Sequence, residues 1–190
     1  NIISNLIKKY YNKKTFLISK SKNNINTYRI KKAELKFARS FLNSRNSLRT
    51  RKISSNPNHI ISFPEHLNWW KNNNIKKFIL LKNKTIPSAY HWIKLLKRNN
   101  KKIIISGWFL DNDEDDTLRT SYKILKHQKN FIKKHYKGYK WLININKTND
   151  LSIRMNESIG FKKATLASFN IADDLFKFDK EKFNVYEMKS

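Results

Sequence analysis

The sequence contains no cysteine. Disulfides and thiolate metal sites are therefore excluded, and a reducing compartment fits: the cytoplasm or an organelle matrix. Glycine and proline are scarce, three of each in 190 residues. No Walker-type loop and no G-x-S-x-G elbow appears. There is no H-E-x-x-H, and His59, His127 and His135 lack metal-ligand spacing. No apolar run approaches the roughly 20 residues that span a bilayer. The given sequence opens on Asn1, as a processed or truncated start would, and carries no secretory signal pattern. Acidic residues are the other shortage: 14 Asp and Glu face 41 Lys and Arg, a net charge of +27.

What is present is a foldable domain. Hydrophobic residues make up 39% and aromatics 13%, too many for a disordered chain. One core fits the length. Lys, Asn and Ile are abundant, as in a product of an AT-rich genome, but that bias does not explain so few acids. The positive excess admits three readings: a polyanionic partner such as nucleic acid or a membrane surface, an anionic small substrate, or a solvated basic surface.

Two parts are expected. Residues 1–26 form a basic extension, with Ile2, Ile3, Leu6, Ile7 and Tyr10 at helical spacing among lysines. Residues 27–190 form the domain. Strands are predicted over Thr27–Lys31, Lys76–Lys82, Ser88–Lys97, Lys102–Leu110, Lys140–Asn146, Phe161–Phe169 and Phe183–Met188, and Ala172–Asp179 allows a helical turn. Helices are predicted over Glu34–Arg45, from a Ser62 cap with Glu65 three residues on, and over Thr117–Tyr136. Phe63, Leu67 and Trp70 mark the inner stripe of the second. Leu118, Tyr122, Leu125, Phe131, Ile132 and Tyr136 mark that of the third. Asn149–Phe161 reads as a short helix capped by Asn149 or Asp150 and closed by Gly160. A meander feeding a β-α-β-α-β unit implies an α/β fold: a mixed central sheet of about seven strands with helices on both faces. The five tryptophans on these stripes are expected in the core.

The late segment resembles a motif of the GNAT acetyltransferases, N-x-x-A-x-x-L-Y-E-K-x-G-F. Asn149, Ser152, Met155, Asn156, Glu157, Gly160 and Phe161 fall on its positions. Ser152 replaces alanine and Asn156 replaces tyrosine. The element order resembles the GNAT fold across residues 27–190. The early part is similar to one branch, the nucleotide-sugar amine N-acetyltransferases of the pseudaminic-acid-pathway type. It carries Arg45-Asn46 with Arg49 or Arg51, then Ile61-Ser62-Phe63-Pro64-Glu65-His66-Leu67-Asn68-Trp69 against I-S-x-x-E-H-x-x-W.

The resemblance implies acetyl-CoA as co-substrate, a primary amine as acceptor and no metal. It places the pantetheine arm along Gly107–Leu110, with Trp108, Phe109 and Leu110 as contacts. The pyrophosphate would sit at the start of the long helix, on Arg119, Thr120 and Ser121, with Asn149 nearby. That loop lacks the family's glycines and follows five acids between Asp111 and Asp116. A calcium loop there is a poor alternative, because position six is Asp116 and position twelve Tyr122. Asn156 stands where a tyrosine general acid is usual and cannot usefully give up a proton. Base candidates are Asp111, Glu114 and His91. Arg45, Arg49, Glu65 and His66 are candidate substrate contacts, the last two alternatively capping and packing the second helix. A second reading is a GNAT-fold binding protein without activity, such as a basic component of a ribonucleoprotein particle.

Overall fold

The structure, a computed structural model, describes residues 26–98 and 100–189. The expected basic extension lies outside them, apart from Asn26. Seven strands form one mixed sheet: β1 Tyr28–Lys32, β2 Ile75–Lys82, β3 Ile86–Arg98, β4 Lys101–Leu110, β5 Lys140–Asn146, β6 Lys162–Lys163 and β7 Phe183–Lys189, in the order β1-β2-β3-β4-β5-β7-β6. Only β4 and β5 run parallel. Among the described residues six helices surround the sheet: α1 Ala38–Asn46 (after a 3-10 turn, Leu35–Phe37), α2 Leu48–Arg51, α3 Phe63–Lys71, α4 Thr117–His135, α5 Asp150–Ser158 and α6 Leu166–Phe176.

The sheet is covered on both faces, and the central strand shows it. Ile103, Ile104 and Ile105 are consecutive in β4 and all buried, as expected where neither face meets water. Ile104 joins Ile124, Leu125 and Ile132 of α4 and Met155 of α5 in one cluster. Ile103 and Ile105 join Ala172 of α6, Leu142, Phe183 and Val185 on the other side. Beside them Phe41 of α1 packs with Ile79, Tyr90 and Phe109, and Trp69 and Trp70 of α3 close over it. No helix among the described residues is long and apolar enough to cross a membrane.

The local signals explain the element ends. Ser62 Oγ accepts from the Glu65 amide at 3.3 Å and Pro64 sits in the first turn of α3. The Glu65 carboxylate does not complete a capping box; it pairs with exposed His59 at 3.0 Å. Asn149 caps α5, its Oδ1 accepting from the Ser152 amide at 3.1 Å. Gly160 closes that helix at φ 109°, a conformation that side chains resist.

Three expectations are corrected. Phe161–Phe169 is not a strand; only Lys162–Lys163 pairs with β7, and α6 begins at Leu166. Thr165 starts it, accepting from the Ser168 amide, and Phe169, Ala172 and Phe176 then pack on the sheet at helical spacing. In α3 the most buried residue is His66, not Phe63 or Leu67. In α4 the inner stripe contains polar Thr120, Ser121 and Gln128 beside Ile124, Leu125 and Ile132, whereas Leu118 and Tyr122 are half-buried. Of the five tryptophans, Trp141 is fully buried and the others are half-buried.

Candidate active site

Strands β4 and β5 pair over only three positions, from Ile103 opposite Lys140 to Ile105 opposite Leu142. Beyond that point they part. Ser106–Leu110 pairs only with β3, and Ile143–Asn146 only with β7. The inner edge of β4 therefore presents backbone groups with no strand partner, which is a ready template for an extended ligand. One buried hydrogen bond pins the fork: Trp141 Nε1 donates to Ser106 Oγ at 2.8 Å.

The fork opens into a cavity of about 320 Å³. Trp108, Phe109 and Leu110 line it from β4, and Ile143–Asn146 from β5. Helix α4 contributes Thr117, Ser121 and Gln128, a polar stripe at helical spacing. Helix α5 contributes Leu151, Ser152 and Asn156, with Asn149 at its cap. Arg45, Arg49 and Thr50 close one side. Trp92 of β3 lies across from Gly107 and also faces in; Gln128 Nε2 donates to its carbonyl at 3.3 Å.

The N-terminus of α4 meets this cavity without a glycine loop. The five upstream acids are engaged elsewhere or turned to solvent. Asp111 accepts from Tyr90 Oη at 2.7 Å and Ser44 Oγ at 2.9 Å. Glu114 accepts from the Asp116 amide at 2.8 Å, and Asp115 pairs with Lys82 at 3.6 Å. Asp116 caps the helix through the Arg119 amide, and Asp113 is exposed. None of them lines the cavity. Arg49 does, and it is held there: its guanidinium donates to Glu114 O and to Thr117 Oγ1, both at 3.0 Å. Ser121 is fully buried, and its hydroxyl has no protein partner. A buried hydroxyl left unsatisfied costs about 1–3 kcal/mol, so a ligand acceptor there would recover that cost.

Ser54 Oγ, also on the lining, is likewise buried without a protein partner, and Arg45 is the second guanidinium of the lining. It is half-buried at the cavity wall, and no carboxylate pairs with it among the described residues. Burial lowers its pKa, though an arginine stays charged. A desolvated guanidinium of this kind favours an anion.

Of the other sequence-derived candidates, only Asn156 is among the lining residues. His91 is fully buried on the face opposite Trp92, stacked on Phe78 with ring centroids 4.5 Å apart. Its Nε2 meets His127 Nδ1 at 2.9 Å. Burial first, then His127, pushes its pKa well down. Asp111 is turned under α1 to Tyr90 and Ser44 and does not line the cavity. Neither is positioned as a base. Arg119 lies over the Tyr28 ring at 5.2 Å, and Thr120 is buried on the same side. Glu65 is exposed, and His66 sits in an aromatic cluster with Phe41, Trp69 and Trp70, its pKa lowered by burial. Asn156 does line the cavity; it is buried and its Nδ2 donates to Ser152 O at 2.8 Å. Thr117, Gln128, Asn144 and Ser106 were not singled out from sequence. The 3.6 period from Ser121 would have found Thr117 and Gln128, but the fork residues depend on pairing that no local pattern encodes.

One consequence is chemical. Among the described residues, Arg45 and Arg49 are the only ionisable side chains that line the cavity. These residues offer positive charge, hydroxyl and amide donors and a strand edge, but no group that titrates near neutrality.

No protein-family model matches the chain, and no curated protein matches it. Solved structures do. An N-acetyltransferase from Staphylococcus aureus Mu50 is 14% identical, with TM-score 0.63 over 86% of this chain and 98% of that one. An acetyltransferase of the GNAT family from Streptococcus pneumoniae is 13% identical, with TM-score 0.61 over 86% and 99%. A protein from Salmonella typhimurium, described as an acetyltransferase and solved with its cofactor acetyl-CoA, is 13% identical, with TM-score 0.64 over 86% and 94%. These likenesses establish the GNAT fold.

Proposed function

We propose that the protein is an acetyl-CoA-dependent N-acetyltransferase acting on a primary amine of an anionic acceptor, in the first instance a nucleotide-linked amino sugar. The observation that carries this reading is the open inner edge of β4 beside the buried, unpartnered Ser121 hydroxyl at the start of α4. Acetyl-CoA supplies an activated thioester when bound. The residues present fit it. Ser106–Leu110 would hold the pantetheine arm as an added strand, and main-chain amides there would polarise the thioester carbonyl. Thr117, Ser121, Arg49 and the helix N-terminus would hold the pyrophosphate. Arg45 would take the acceptor's phosphate and so orient its amine. The Ile61–Trp69 resemblance supports the sugar-nucleotide class. Such a substrate also fits a reducing, acetyl-CoA-containing compartment.

With no titrating group among the described lining residues, the amine would have to enter deprotonated; its C–N bond would form as the C–S bond breaks, and the proton it loses would reach the departing CoA thiolate through solvent. The rate would then follow the pKa of the acceptor itself. The same observation favours a second reading, a GNAT-fold protein that binds acetyl-CoA and does not transfer it.

Two measurements test this. Calorimetry should give micromolar acetyl-CoA binding, competed by CoA; absence of binding refutes both readings. Release of CoA thiol in the presence of nucleotide-linked amino sugars should then separate them. Binding without release, across neutral amines and anionic ones, refutes the enzyme.

A further inference from the structure

We infer that the end of the sheet opposite the cavity binds the phosphate backbone of a nucleic-acid duplex. The charge that makes the chain basic is not spread evenly. Between Glu65 and Asp111 there is no acidic residue, and between Asp116 and Asp150 there is none. The first stretch supplies β2 to β4 and the second supplies α4 and β5.

The fold brings these stretches together at one end. Lys97 and Lys102 are opposed across the β3–β4 hairpin. The parallel register sets Ile103 against Lys140, so the turn that links α4 to β5 lies beside Lys101 and Lys102. The contact is direct: Lys102 Nζ lies 5.8 Å from the Tyr139 ring centre. The last turn of α4 and that linking turn add exposed Lys133, Lys134 and Lys137. The acids near this end are already used. Asp174 pairs with Arg98, and Glu187 with Lys140 at 3.3 Å. Lys97, Lys101, Lys102, Lys133, Lys134 and Lys137 form no ion pair among the described residues. Six uncompensated ammonium groups remain around this end of the sheet.

The surface chemistry selects the partner. A peripheral membrane site needs apolar anchors beside its lysines. Of the exposed large hydrophobics among the described residues, Leu166 comes near this end, two residues before the Ser168 whose Oγ accepts from Lys140 Nζ at 2.7 Å, and one side chain is too little apolar area to anchor a membrane site. A single-strand binder needs exposed rings on which bases stack. Tyr136 and Tyr139 are half-buried against the core instead. Lysines alone, as flexible point charges, suit phosphates at regular spacing and carry no sequence information. The cavity is lined from the other ends of β4 and β5, so occupancy of one site leaves the other open.

The test uses the full chain and a variant with Lys→Gln at the six positions. Binding to labelled RNA and DNA duplexes of about 20 base pairs is followed by anisotropy between about 50 and 200 mM salt. Six phosphate contacts correspond to a slope of log K against log salt of about −5. The natural chain should show a slope steeper than the variant's by about that amount, and the variant should bind acetyl-CoA as before. A preference for RNA would report 2′-hydroxyl contacts, and equal binding the backbone alone; both sustain the inference. Triple variants, Lys97/Lys101/Lys102 and Lys133/Lys134/Lys137, should each lose about half the slope and guard against misfolding of the sextuple variant. Equal affinity and slope in natural and variant chains overturns the inference, as does failure of the natural chain to bind either duplex. Tighter, lysine-dependent binding to vesicles of anionic lipid also overturns it, in favour of a membrane surface.

Discussion

Gly107 sits in the middle of the strand edge that the site depends on, and its substitution tests the geometry of the fork. A Cβ built there would lie 2.9 Å from Cε2, Cζ2 and Nε1 of the Trp92 indole. Ordinary contact begins at 3.4 Å, so the ring would have to move by at least 0.5 Å. Trp92 is half-buried and faces the cavity, so the ring has open space on that side. Overpacking of this kind costs about 1–3 kcal/mol. Alanine returns about 0.5–1 kcal/mol of backbone entropy in a strand. The net expectation for Gly107→Ala is a loss of about 1 kcal/mol, or roughly 3 °C in Tm for a domain of this size. The displaced ring narrows the cavity, so acetyl-CoA affinity should fall about tenfold, equivalent to about 1.4 kcal/mol. A Trp92→Ala background removes the atoms that clash. There, Gly107→Ala should be neutral or stabilising by up to about 0.5 kcal/mol. Urea unfolding of the four proteins and calorimetry with acetyl-CoA measure both quantities. An equal cost in the two backgrounds, or no cost in the natural one, would refute the close-packed fork.

Three further outcomes follow from the site. Ser121→Ala removes a buried hydroxyl that has no protein partner, so the free protein should gain up to about 1 kcal/mol in urea unfolding while acetyl-CoA binds about five- to tenfold more weakly. Those opposite signs separate a ligand contact from a structural one. Arg45→Met should raise KM for a phosphate-bearing acceptor by about ten- to a hundredfold, leave acetyl-CoA binding unchanged, and have little effect with a neutral amine of equal size. His66, His91 and His127 all have pKa values held below 6.5 by burial. Their unfolded forms take up protons first, so stability should be full above about pH 6.5 and decline as pH falls towards the lower folded values. His91→Leu should flatten that decline in thermal melts between about pH 7 and 5, since it removes the most depressed of the three.

How far the sequence carried the interpretation depended on the range of each signal. Caps are local, and Ser62, Asn149 and Gly160 all did what their residue types suggest. Strand positions in β2 to β5 were likewise legible from runs of Ile, Leu and Trp between Asn and Lys turns. Phe161–Phe169 failed because its apolar residues fit two periods; the Thr165 cap settles the helix, and the cap is a weaker signal than the run. Strand parity turns His91 away from the cavity. Alternate residues face opposite ways, so Trp92 reaches the cavity and His91 lies between Phe78 and His127. Asp111 just follows β4, and what it meets, Tyr90 and Ser44, lies 21 and 67 residues away. The fork itself is a property of where β5 stops pairing, and neither strand's own composition records that.

The long helix separates two electrostatic regimes. Thr117 and Ser121 stand at the cavity, and Lys133 and Lys134 stand at the far end of the same 19-residue element. At 1.5 Å per residue the helix spans about 28 Å. The screening length at physiological salt is about 8 Å, so the field of the distant lysines has decayed over several such lengths before it reaches the pyrophosphate position. A pyrophosphate there would have to be held by its immediate neighbours, Arg49, Thr117, Ser121 and the helix amides. Neutralising the basic end, or covering it with a polyanion, should therefore alter neither the affinity at the fork nor its salt dependence. The helix would then work as an insulating spacer, letting one small, highly charged domain bind the two proposed kinds of phosphate independently.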